Sequence, residues 1–176
     1  MSLSLYQASV PVFIRALTNL SLFLKKAEVH AGAKKIDEKN FMQARLYVDM
    51  IPLTAQVQIA SDAAKGFAAR AAGLEVPSFA DTESSFAELQ ERIAKTIRFL
   101  ESVKPEQIDG QEDRTVSLKL GGQERQLKAQ AYLLHMSLPN LFFHVTTAYD
   151  ILRHNGVEIG KLDYLGGYPQ PVVMAA

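Results

Sequence analysis

Phe13, Leu17, Leu20 and Leu24 recur at steps of four, three and four. With 3.6 residues per turn, that spacing places all four on one stripe of a helix. This first helix runs to about His30, with Gly32 expected to stop it, and Pro11 either sits in its first turn after Ser9 or kinks a helix that begins earlier. A polar connection follows, in which Asp37 can cap a short turn through Phe41 and Met42. A second row then appears between Pro52 and Gly73: Leu53, Val57, Ala60, Ala64, Phe67 and Ala71. Its alanines allow a neighbouring helix to approach closely, or leave space for a cavity. Ser85 and Glu88 have capping-box spacing and open a third helix carrying Phe86, Leu89, Ile93, Ile97 and Leu100, with Pro105 at its end. Between Thr115 and Leu127 the period falls to two, and Val116, Leu118 and Leu120 alternate ahead of Gly121-Gly122, a pair suited to a two-residue hairpin. The fourth helix carries Leu134, Leu138, Leu141, Val145, Ala148 and Leu152 and ends at Asn155-Gly156. Pro139 lies inside it and should bend it near Ser137, freeing a carbonyl there.

Four amphipathic stripes bury themselves most simply against one another, so the predicted fold class is all-α: a four-helix bundle with a small β-hairpin between helices three and four. The connection from Gly73 to Ser84 is long enough for helices two and three to run parallel or antiparallel. Residues 1–165 read as one domain and 166–176, rich in glycine and proline, as a tail that is flexible at its end. Leu162, Tyr164, Leu165 and Tyr168 suggest that the first half of the stretch from Val157 to Ala176 lies along the bundle or a partner subunit.

Composition narrows the function classes. The chain has 176 residues, 48% of them hydrophobic and 22% charged, which suits one globular domain with its own core. Nineteen basic and nineteen acidic side chains cancel, so no global field favours nucleic acid or an anionic membrane. The absence of cysteine excludes disulfides, thiolate metal sites and a cysteine nucleophile, so any thiol chemistry would need a thiol cofactor. The apolar N-terminal stretch contains Arg15, lacks a basic leader and is interrupted by polar residues at helical spacing. No signal peptide and no membrane span are expected, and a cytoplasmic location follows.

Among the four histidines, His30 and His154 fall at helix ends, where they favour the exposed carbonyls. His135 and His144 are nine residues apart. At ~100° per residue their rings point to opposite sides of a regular helix and cannot share one ion. His144 instead shares a face with Asn140, one turn earlier, and Thr147 flanks the same stripe. On the second helix Thr54, Gln58 and Asp62 form a comparable polar strip. Two such strips can meet as a polar pocket, or can close on each other through ordinary buried hydrogen bonds. Arg45 and Asp49 have the spacing of a surface ion pair. Phe142, Phe143 and Tyr149 read as core and interface packing. There is no phosphate-binding glycine loop, nucleophile elbow or pair of histidines on one face.

The segments Tyr6-Gln-Ala-Ser-Val-Pro-Val-Phe13, Gln56-Val-Gln-Ile-Ala60, and Leu134-His135 through Asn140 to His144-Val-Thr-Thr-Ala-Tyr-Asp-Ile-Leu-Arg-His-Asn-Gly156 resemble an uncharacterised bacterial branch of the DinB/YfiT-like superfamily. The resemblance reaches to about Leu165. It implies an up-down-down-up four-helix bundle, often dimeric, among whose characterised relatives are metal-dependent thiol transferases and hydrolases. Those relatives bind a divalent metal through three histidines, one on helix two and two spaced by four late in the bundle. Placing the last of them on His144 puts the preceding ligand on Asn140 and the helix-two ligand near Gln58. Two of the three imidazoles are thus replaced by amides, poor substitutes on a transition metal.

The expected function is therefore a homodimeric module that binds a small molecule in a pocket of Gln58, Asn140, His144 and Thr147. It has no metal ligand set, no assigned cofactor and no assigned catalytic residue. The alternatives are a thiol-cofactor-dependent transferase with His144 as general base, a divalent-metal enzyme using His144, and a purely structural protein whose polar strips are closed by hydrogen bonds.

Overall fold

A computed structural model describes residues 3–167 of the chain, and it is mainly helical with one small antiparallel sheet. The helices are α1 (Val10–Lys34), α2 (Glu38–Gln43), α3 (Leu53–Ala72), α4 (Phe86–Ser102), α5 (Pro105–Ile108), α6 (Ala129–Tyr132), α7 (Leu138–His154) and α8 (Lys161–Leu165). Strands β1 (Thr115–Leu120) and β2 (Gln123–Lys128) pair in antiparallel register, Leu120 opposite Gln123. Gly121 and Gly122 both have positive φ, 57° and 80°, as a hairpin turn of this twist requires.

Local chemistry explains most boundaries. Ser85 Oγ accepts the Glu88 N–H at the start of α4, while the Glu88 carboxylate reaches back to Ser84 N at 2.6 Å. Asp37 caps α2 by accepting from Lys39 N. Gly73, at φ 71°, ends α3 in the left-handed region. The first helix departs from expectation: Gly32 stays helical and Lys35 takes the left-handed position, at φ 54°. Lys35 N and Ile36 N close the last turn on Gly32 O and Ala31 O, so hydrogen bonding sets this terminus in place of glycine's backbone freedom. Arg45 also departs, donating to the Met50 carbonyl and making no ion pair with Asp49.

The long helices pack in a ring in which α1 lies on α4, α4 on α3, α3 on α7 and α7 on α1. Their inner stripes, including Phe13, Leu17, Phe23, Val57, Phe67, Leu89, Ile93, Leu141 and Leu152, are buried. Tyr6 N donates to Asp109 Oδ1, and Phe86 N to Glu38 Oε2, joining the ends of neighbouring segments. Arg92 on α4 is a buried cation whose guanidinium holds Asp62, Asp81 and Glu83 at 2.9 Å each and also donates to Ala80 O. It thereby pins the connection between α3 and α4.

The last described helix lies along the first. Arg15 donates to Leu165 O, Asn19 to Tyr164 O, and Lys26 pairs with Asp163. Of the expected flexible tail 166–176, only Gly166 and Gly167 are described. Tyr168 and the rest of the tail, 168–176, lie outside the described residues. Among the described residues no helix is long and apolar enough to cross a membrane.

Candidate functional site

The site is built where α3 and α7 run antiparallel. Ser137 Oγ donates to Ala63 O at 3.0 Å, and His144 Nδ1 meets Gln56 Oε1 at 2.7 Å. Small side chains on α3 permit this approach, since Ala60, Ala63 and Ala64 are buried on the facing stripe. Ahead of α7 the chain forms a π-helical turn, Leu133–Ser137, in which Leu138 N bonds to Leu133 O. Its cause lies in the sequence. Pro139 has no N–H and its ring crowds the carbonyl one turn back, so the expected bend becomes a widened turn.

Gln56 is fully buried, and its two amide ends are both used. Nε2 donates to Ile51 O at 3.0 Å, which turns Oε1 toward His144. An amide oxygen only accepts, so the imidazole must present Nδ1–H, leaving the lone pair on Nε2. Burial holds the His144 pKa below its ordinary value, keeping this neutral tautomer in place at neutral pH. Phe143 stands edge-on to the ring, with centroids 5.2 Å apart.

The four residues expected to form one pocket have different surroundings. Asn140 is exposed and stands on the wall of a cleft of about 200 Å³ between α3, α7 and the hairpin. His144 is buried with Gln56 as its partner. Thr147 is also buried and returns its hydroxyl to Phe143 O within its own helix. Gln58 points elsewhere, donating to Glu83 Oε2 at 2.8 Å on the α4 side. Burial alone would raise the Glu83 pKa, but Gln58, Arg92 and a backbone N–H outweigh it and hold the carboxyl below its usual range. The amide hydrogen-bonded to His144 is therefore Gln56, two positions before Gln58 and nearly half a turn around the helix. His135 is exposed in the π turn while His144 is buried. Phe142 and Phe143, expected as packing residues, are substantially exposed, at 38% and 56%.

Besides Asp62, which belongs to the polar strip expected on the second helix, the cleft contains residues outside the expected pocket. Its walls include Ile59, Asp62, Arg70, Lys119, Tyr132 and Ser137 beside Asn140. Arg70 lies back along α3, donating to Gly66 O and Ser117 O. Gly66 makes room for it: a Cβ there would stand 2.8 Å from Arg70 Nη1 and 3.6 Å from Tyr132 Oη. Tyr132 packs on Phe67 with centroids 5.5 Å apart. Burial raises its pKa, with the Arg70 charge opposing, so its hydroxyl keeps the proton at neutral pH.

The comparisons with known proteins bear on this arrangement. A family model described as "Domain of unknown function (DUF1993)" matches residues 5–165. The chain belongs to the DUF1993 family. This DUF1993 protein is also similar to a solved structure described as a DinB family member protein from Shewanella denitrificans. The two are 39% identical with a TM-score of 0.86, over 95% of this chain and 94% of that one. No curated protein matches the chain.

The DinB-like resemblance implies a divalent metal held by three histidines. Among the described residues no group of three or more His, Cys, Asp and Glu side chains is placed to hold an ion. The Gln56 hydrogen bond occupies Nδ1 of His144 and leaves the Nε2 lone pair free, while the residue one turn before it is Asn140, whose neutral amide is a weaker transition-metal donor than imidazole.

Proposed function

We propose that this DUF1993 protein is a cytoplasmic, homodimeric binding module for a small molecule, formed by residues 1–165 folded as an up-down-down-up four-helix bundle. The bundle reading draws support from the ring of helix contacts and from the pairings of Tyr6 with Asp109 and Glu38 with Phe86. The ligand sits in the cleft against Asn140. His144 and Thr147 back that face of α7, and Gln58 supports the opposite side of α3 through Glu83. The observation that carries this reading is the cleft itself, lined by polar groups from α3, the hairpin and α7 together with apolar Ile59, Ala63 and Met136. At about 200 Å³ it is smaller than the ~300–1,000 Å³ of sites for drug-sized ligands, so its occupant is small.

A thermal-shift screen of small metabolites on wild type and Asn140→Ala tests this, because a ligand selective for the folded state raises the melting temperature by mass action. Hits whose shift vanishes in Asn140→Ala support the cleft as the site. Equal shifts in both proteins would remove it. Sedimentation velocity on the same samples tests the dimer, and a monomer at micromolar concentration would exclude it.

A further inference from the structure

Two cations in the cleft have no counter-charge in contact. Arg70 uses its guanidinium on the carbonyls of Gly66 and Ser117, and Lys119 is exposed at the hairpin edge. Neither makes an ion pair within 4 Å among the described residues. The carboxylates nearby are otherwise placed. Asp62, on the cleft wall, is held by Lys65 at 3.0 Å and by the buried Arg92 at 2.9 Å. Glu124 is the cross-strand neighbour of Lys119 but forms no ion pair with it.

Neutral donors add to the same polarity. Tyr132 presents a phenol that stays protonated at neutral pH, and Asn140 brings an amide with two N–H donors. The mid-helix glycine at 66 gives the arrangement its shape. Glycine is unfavourable relative to alanine in a helix interior, and here the space it leaves is occupied by the Arg70 guanidinium and approached by the Tyr132 hydroxyl.

Building on the binding reading above, we infer that the ligand is an oxyanion, a small molecule whose carboxylate or phosphate group lies between Arg70 and Lys119 with Tyr132 and Asn140 as hydrogen-bond donors. Guanidinium and ammonium groups complement such oxygens through charge-assisted hydrogen bonds. The apolar lining of Ile59, Ala63 and Met136 then takes the remainder of the molecule.

Titrations of the full chain followed by amide NMR, at constant ionic strength, test this with four probes: inorganic phosphate, acetate, glycerol and methylammonium. Saturable shifts at the Ser137, Asn140 and Lys119 amides are expected with the anions alone. Phosphate without acetate identifies a phosphoryl ligand, and acetate as well admits carboxylates. Lys119→Glu, on an exposed side chain, should weaken anion binding by about tenfold or more, and because it faces Glu124 across the strands it should lower the melting temperature by only about 4 °C or less. Arg70→Gln should weaken it too, but it also loosens the hairpin, so Lys119→Glu decides. Anion shifts elsewhere, or shifts indifferent to Lys119→Glu, would overturn the inference. Glycerol or methylammonium binding in the cleft in place of anions would also overturn it while leaving the binding-module reading intact. Silence from all four probes removes the anion assignment, and the metabolite screen against Asn140→Ala then decides the wider reading separately.

Discussion

Replacing Gln56 by leucine removes the acceptor of the His144 Nδ1–H while keeping nearly the same side-chain volume. Both residues are buried, with His144 7% exposed and Gln56 0%. The stranded N–H therefore cannot turn to water, and leaving such a donor unsatisfied costs about 1–3 kcal/mol. The other bond lost, from Gln56 Nε2 to Ile51 O, adds to this cost. For a chain of this size the loss corresponds to roughly 2–12 °C in melting temperature, at about 2–4 °C per kcal/mol. Urea unfolding of the two proteins measures the free-energy difference. Nitrogen-15 NMR of the imidazole reads which nitrogen carries the proton. Wild type should be protonated at Nδ1 and the variant should lose that preference. A stability change under about 0.5 kcal/mol, the range of ordinary surface substitutions, would refute the reasoning, as would an Nε2–H tautomer in wild type. Gln56→Glu is an informative companion: a carboxylate facing Nδ1–H favours the imidazolium and should raise the His144 pKa above that of wild type.

Two further expectations concern stability. Because burial depresses the folded-state pKa of His144 below the ordinary 6.5, the unfolded chain binds the proton more readily. The stability contributed by the neutral ring is complete above pH 6.5 and declines as pH falls below it toward the folded pKa. Denaturation midpoints measured from pH 7.5 downward should show this slope in wild type and a shallower one in His144→Asn. Ser85→Ala removes the acceptor of Glu88 N at the start of α4 and should cost about 1 kcal/mol in urea unfolding. A neutral result would mean that the Glu88 contacts to Ser84 suffice to cap the helix.

Much of the helical framework was legible because its signals are local. The rows through Phe13 and Leu53, the Ser85-Glu88 cap, Gly73 and the Gly121-Gly122 turn each specify an element from a few neighbouring residues. Lys35 was not legible as a stop, since nothing local marks a lysine for the left-handed region when Gly32 stands three residues earlier. The site was read less completely. Asn140, His144 and Thr147 share a helix face by spacing alone, but the amide opposite His144 depends on how α3 is rotated against α7. A row through Leu53, Gln56, Ala60, Ala63 and Phe67 also has helical spacing, and in that row Gln56 is a polar residue among apolar ones. That anomaly was the available signal. Arg70, Lys119 and Tyr132 come together from three separate elements, and no sequence period relates them.

The seam between α8 and α1 bears on how the polypeptide is made. Its contacts, Arg15 with Leu165, Asn19 with Tyr164 and Lys26 with Asp163, join positions 150, 145 and 137 residues apart. On a ribosome the flank of α1 must wait, uncovered, until nearly all of these residues have been synthesised. Closure of such distant partners is entropically slow, so α1 is synthesised well before the strap that will cover it.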